Sequence, residues 1–201
     1  MFQIPEPGAA STPRPDPRRM PLHLVSVSGS QGMVAAAKKA GRQAAEGLVA
    51  LRAQGARCVA LAEVNCETDF AARGPLLQAL VGQAAQAALA AGERSGGAGP
   101  GPQSVPLEGW EGELAGGGEA GSKVTLGEEV RRVAGLVREN VRLRRAVWLG
   151  GGGRVYGYVH NEVVAGSGVG RMAGAVALEG ADAAAADEMG PRVAMHVVRG
   201  A

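Results

Sequence analysis

Three carboxylates, Glu63, Glu67 and Asp69, fall within one seven-residue stretch that also holds Cys66, with Cys58 upstream. Paired carboxylates can do general acid–base work, and a cysteine can serve as nucleophile or metal ligand. Both chemistries need a partner that tunes a pKa or completes a coordination shell. His23, His160 and His196 stand far apart, with no second ligand three or four residues away, which argues against a zinc site. No G-x-S-x-G elbow and no G-x-x-x-x-G-K-[ST] loop occurs. The run Gly166-Ser167-Gly168-Val169-Gly170 misses the dinucleotide-binding spacing and reads as a connection between strands. Two cysteines are too few for a disulfide framework and read as buried structural thiols. These residues compose no catalytic set, no metal site and no cofactor site.

Two features remain. Arg131–Arg145 carries six arginines against the single acid Glu139. A nucleic-acid contact is one reading, but the arginines fall between the valines of an amphipathic helix and then alternate along a strand. That pattern describes a solvated or protein-contact face, so direct RNA binding is not expected. The other feature is Glu63-Val64-Asn65-Cys66-Glu67-Thr68-Asp69-Phe70, where an apolar strand stops and an acid–aromatic pair follows. Asn65 and Thr68 are good turn and cap residues and would present Asp69 and Phe70 at a strand–helix junction. Phe70 packing beneath the following helix, with Asp69 capping its first turn, is the alternative these residues leave open.

The elements that would position the junction follow from periodicity. Residues 33–45 are rich in helix formers, with Gly47 closing that helix. Leu48–Leu51 and Cys58–Val64 predict a β-hairpin, with Cys58 and Cys66 on one face if the strand runs that far. Pro75 suits a first helical turn, and Leu77, Leu80, Val81, Ala84 and Ala88 make an apolar stripe. Thr125 and Glu128 predict a capping box, opening a helix that ends near Asn140. Strands follow over Val141–Leu149, Val155–His160 and Val169–Leu178. A last helix over 181–198 contains Gly190-Pro191 as a break. The fold class is therefore α+β, an antiparallel sheet with packed helices.

Composition bounds the core. The 201 residues include 33 Gly, 11 Pro and only 3% aromatics, with a formal net charge of +2. That excludes two full cores and leaves one domain of about 130–150 residues with loose segments. Six prolines crowd residues 1–30 and ten glycines lie between Gly92 and Gly118. Four segments result: a Pro-rich disordered or targeting stretch at 1–32, core at 33–91, a flexible Gly/Pro-rich insertion at 92–122, and core again at 123–201. No apolar run reaches the ~18–20 residues of a membrane-spanning helix.

The segment EVNCETDFAAR at 63–73 closely resembles the EVNCETDFVAR signature of elongation factor Ts, the nucleotide exchange factor of elongation factor Tu. AAAKKAGRQAAEG at 35–47, GLVRENVRLRR at 135–145, Tyr158-Val159-His160 and Val193-Ala194-Met195-His196-Val197 resemble further family blocks, in family order. The resemblance implies an antiparallel sheet with packed helices, docking on the nucleotide-binding domain of elongation factor Tu. It implies that Asp69 and Phe70, introduced by Thr68, reach toward the partner's magnesium and phosphates, with His160 and His196 on or near the contact surface. The chain would promote GDP release without covalent chemistry, acting on the Mg-GDP of its partner. The family's initial three-helix domain has no counterpart in residues 1–30, and the coiled-coil arm and second core half of longer relatives are not matched. A basic RNA- or ribosome-associated module and an inactive copy are the alternatives. The Pro-rich start of a bacterial-type translation factor points to the mitochondrion, with plastid or bacterial cytoplasm as alternatives.

Overall fold

A computed structural model describes residues 22–28, 43–95, 103–106, 112, 124–180 and 182–200. Its strands are β1 (Leu22–Ser28), β2 (Glu46–Gln54), β3 (Cys58–Cys66), β4 (Gln103–Pro106), β5 (Arg142–Gly150), β6 (Arg154–His160), β7 (Val169–Gly170) and β8 (Met172–Leu178). Its helices are α1 (Asp69–Arg73), α2 (Pro75–Ser95), α3 (Leu126–Val137) and α4 (Ala183–Arg199). All strand pairings are antiparallel, as the α+β reading requires, but they make two sheets, ordered β4-β5-β3-β2-β7 and β1-β8-β6.

The alternation of β3 explains the layering. Cys58, Ala60, Ala62, Val64 and Cys66 face a core shared with α2 and α3, so the two cysteines do lie on one face. Val59 and Leu61 point the other way, into a second core with Val155, Ala173, Ala175 and Ala177 of the smaller sheet. Every residue of β3 is buried, and apart from Glu63 and Asn65 the strand is apolar on both faces. Helix α4 packs on β6 and β8. The order of layers is thus helices, five-stranded sheet, three-stranded sheet, helix.

Small side chains make these layers close. Leu77, Leu80, Val81, Ala84, Ala85 and Ala88 form the buried face of α2 against Ala60 and Ala62. The one large aromatic in that core, Trp148, sits against Gly92 and Gly150, where a Cβ would overlap its ring.

Several expectations are corrected. Leu22–Ser28, placed in a disordered segment, forms β1 and pairs along β8. Gln103–Pro106, placed in the flexible insertion, forms β4 against β5. Helix α2 runs past residue 91 into the same insertion. The predicted helix at 33–45 falls outside the described residues over 33–42; residues 43–45 are not helical, and Gly47 lies in β2. A side chain at Gly47 would overlap the Val64 carbonyl, so this glycine serves close strand pairing and not a helix end. The predicted strand Val169–Leu178 divides: β7 pairs with β2, whereas β8 pairs with β6 and β1. Gly170 permits the crossing, because a Cβ there would lie 2.7 Å from the His160 carbonyl. Helix α4 passes through Gly190-Pro191 unbroken. Gly190 instead seats the helix against the Tyr156 ring, and buried Ala194 and Val198 hold the turns beyond the proline.

Candidate functional site

The junction after β3 is built from two distant segments. Thr68 caps α1: its Oγ1 accepts from the Ala71 N–H at 3.2 Å. Thr68 is thus the cap, and Asp69 is a first-turn residue whose carboxylate pairs with Arg73 at 3.1 Å. Phe70 does not pack beneath a helix. It is 83% exposed, which decides the open alternative in favour of display.

The expected end of α3 at Asn140 is also corrected, and the difference builds the site. The helix stops at Val137, and Arg138 adopts a left-handed conformation with φ 61°. This turn brings Glu139 and Asn140 to the junction. Glu139 Oε2 accepts from the Glu67 N–H at 3.1 Å and the Thr68 N–H at 3.0 Å, and Oε1 accepts from Thr68 Oγ1 at 2.6 Å. In return, Glu67 Oε1 accepts from the Asn140 N–H at 2.7 Å. Two carboxylates thereby satisfy polar groups of each other's backbone segment, with the added strength of a charged acceptor. From sequence, Glu67 stands out only as one of three clustered carboxylates and Asn140 only as a helix end; their part in the junction is not read there. The available signal was Glu139 itself, the lone acid in a run of arginines.

Glu63, Glu67 and Asp69 do not form an acid–base group. Glu63 is 1% exposed and accepts from Arg145 Nε at 2.7 Å and Asn65 Nδ2 at 3.3 Å. Asn65 also donates to the Glu46 carbonyl, so it is a strand residue and not a turn. Arg145 therefore reaches in from a half-exposed position to pair with a buried carboxylate, and is not simply part of a solvated face. A register shift in the β3–β5 ladder, with Glu63 opposite Arg145 and Val64 opposite Leu143, lets Arg144 face solvent instead. Burial pushes the Cys66 thiol up to about 12, with the Glu139 and Glu46 carboxylates adding to it, and Cys66 Sγ donates to the Thr68 carbonyl at 3.2 Å. Burial likewise raises the Cys58 thiol. Neither is a nucleophile near neutral pH.

The two histidines lie at the same end of the sandwich as this junction. His160 ends β6, half-buried, with Nδ1 3.4 Å from the Tyr158 hydroxyl. Its carbonyl accepts from the Arg171 N–H at 3.2 Å. The Arg171 guanidinium donates to Glu46 at 2.6 Å, and Glu46 stands opposite Cys66 in the ladder. Helix α4 begins just beyond Leu178, which pairs with Arg154 at the far end of β6. Its 17 residues, about 25 Å of helix, carry exposed His196 back toward the His160 end. The loop 161–168 closes the same end, with Glu162 accepting from the Gly166 and Gly168 N–H groups at 2.7 and 2.9 Å. Its glycines serve chain reversal: Gly166 and Gly168 have positive φ, and a Cβ on Gly168 would lie 2.9 Å from the Leu51 carbonyl. Among the described residues no group of three or more His, Cys, Asp or Glu could hold a metal ion.

A family model described as Elongation factor TS matches residues 67–200, from the junction to the end of α4. Over 180 residues the chain is 41% identical to the mitochondrial elongation factor Ts of Ostreococcus tauri, covering 84% of this chain and 50% of that protein. It is 38% identical over 169 residues to elongation factor Ts of Xanthobacter autotrophicus, covering 83% and 49%. For elongation factor Ts of Brucella ovis the identity is 39% over 170 residues, covering 84% and 49%. The chain spans about half the length of the curated relatives it matches. With a signature segment that forms a braced, exposed junction and a family match over most of its length, this chain belongs to the elongation factor Ts family.

Proposed function

We propose that this chain is a guanine nucleotide exchange factor, which binds elongation factor Tu in its GDP form and promotes GDP release so that GTP can enter. The observation that carries the reading is Phe70, an aromatic ring displayed to solvent on a helix whose start is tied to the 138–140 turn. Phe70 acts as a rigid apolar wedge between packed side chains of the partner. Asp69 brings an anion toward the partner's magnesium and phosphates, disturbing the charge balance that holds GDP. Thr68 sets the direction of both as their N-cap, and His160 and His196 line the same end of the molecule.

The mechanism is linkage. A protein that binds nucleotide-free partner more tightly than the GDP form weakens GDP by the same factor, and GTP binding expels the exchange factor in turn. No bond is made or broken by this chain, so it is not an enzyme. Release of a fluorescent GDP analogue from elongation factor Tu tests the reading. The wild-type chain should accelerate release, and Phe70→Ala should reduce the acceleration at least tenfold. A wild-type chain without effect would remove the proposal. For the compartment we propose the mitochondrion, supported by the 41% identity to a mitochondrial relative. Imaging of the tagged full-length protein against mitochondrial and plastid markers decides it.

A further inference from the structure

We infer that Glu139 is a positioning residue for the Asp69–Phe70 pair, acting through Thr68 and Glu67. This role rests on the exchange-factor reading above. Helix α1 has five residues and cannot sustain itself by its own hydrogen bonds. Its direction depends on what holds its first turn. The Thr68 hydroxyl accepts from the Ala71 N–H and donates to Glu139 Oε1, so one oxygen links the helix cap to the 138–140 turn. Glu139 Oε2 takes both N–H groups just before the helix, and the Glu67 carboxylate takes the Asn140 N–H in return. These four hydrogen bonds join segments 71 to 73 residues apart in sequence.

The backbone of Arg138 points the same way. A left-handed conformation is disfavoured at a residue with a Cβ, which crowds the following carbonyl oxygen. At Arg138 it ends α3 so that the next two residues face the junction. A helix ended there only for packing would have no need of a carboxylate at the following position. The Cys66 thiol completes the brace from beneath, donating to the Thr68 carbonyl.

The consequence is preorganisation. If Glu139 is removed, α1 samples several directions, and only the fraction with Phe70 correctly aimed can bind. Apparent affinity then falls by that fraction, whereas the limiting rate at saturation is kept. The experiment measures fluorescent GDP release from elongation factor Tu at increasing concentrations of full-length chain, together with amide hydrogen exchange of the free chain. Glu139→Ala should raise the half-saturating concentration about tenfold, as for a competent population near one in ten, with the limiting rate within about twofold. Protection of the Ala71 and Ala72 amides should fall, while that of β3 and α2 stays unchanged. Glu139→Gln should recover most of the affinity, because its amide oxygen can accept from both N–H groups and its NH2 can donate to Thr68 Oγ1. Thr68→Val, which removes the hydroxyl's link to Glu139 together with its cap on the Ala71 N–H, carries the same test if Glu139→Ala does not fold. Wild-type kinetics in both Glu139→Ala and Thr68→Val would overturn the role. Loss of α1 protection without a change in half-saturation would also overturn it, leaving a merely structural brace. If the wild-type chain itself fails to release GDP, it is the exchange-factor reading that falls.

Discussion

Phe70 is one of two phenylalanines in the chain, and it gives up the ~1.5–3 kcal/mol that burying such a side chain would contribute. Its exposure predicts a clean separation of fold from function. Phe70→Ala should change unfolding free energy in a urea titration by no more than ~0.5 kcal/mol, the usual range of a surface substitution. A destabilisation of several kcal/mol would mean that the ring packs somewhere in solution and is not displayed. Thr68 and Glu139 are the opposite kind of residue: polar, partly exposed, and placed by hydrogen bonds that a sequence pattern does not contain.

Helix α4 shows how an element overrides its own weak point. Pro191 lacks an N–H and Gly190 has low helix propensity, so local physics favours a break. The helix continues because its flanks are held. Asp182 caps it by accepting from the Ala185 N–H, and Asp187 accepts from Arg154 Nη2 at 2.7 Å, Arg154 Nε at 2.9 Å and the Tyr156 hydroxyl at 2.6 Å. Hydrogen bonds from Tyr156 and Arg154 hold the Asp187 carboxyl below its usual range. A carboxylate lowered in the folded state stabilises above its unfolded value and loses that contribution as pH falls through the folded value. In thermal melts, the advantage of the wild-type chain over Asp187→Asn should be constant from pH 7 to about 5, then shrink below about 4, the unfolded aspartate value. A gap that stays constant down to pH 3 would remove this linkage. At the start of α3 the Thr125–Glu128 capping box formed as its spacing predicts, because both partners lie within one turn.

The described residues form two thin cores on the two faces of the five-stranded sheet, with β3 at its centre. Because β3 faces both, a cut on either side should propagate through it. Leu61 lies 1% exposed in the inter-sheet core with Val49, Val59, Leu149 and Val155, and the β8 residues of that core are the short Ala173, Ala175 and Ala177. These short side chains cannot swing in to fill a void. Leu61→Ala should therefore cost ~3–5 kcal/mol in chemical denaturation, toward the upper end for such changes. A loss under ~1.5 kcal/mol would show that the two sheets can close on each other. No helix among the described residues is long and apolar enough to cross a membrane.

Periodicity and local signals in the sequence determined the α+β class, the β2–β3 hairpin, the starts of α2 and α3, the common face of Cys58 and Cys66, and the family resemblance through the segment around Asp69 and Phe70. Each depends on residues within a few positions of one another, where side-chain spacing and capping chemistry act directly. The tertiary structure alone decided the division into two sheets, the strands at Leu22–Ser28 and Gln103–Pro106, the continuity of α4 and the pairing of buried Glu63 with Arg145. It also decided that Phe70 is displayed and that Glu139 braces the turn before it. These outcomes depend on contacts between segments tens of residues apart. Loop geometry, the left-handed turn at Arg138 and the packing of small side chains bring those segments together, and none of the three leaves a periodic trace in the chain.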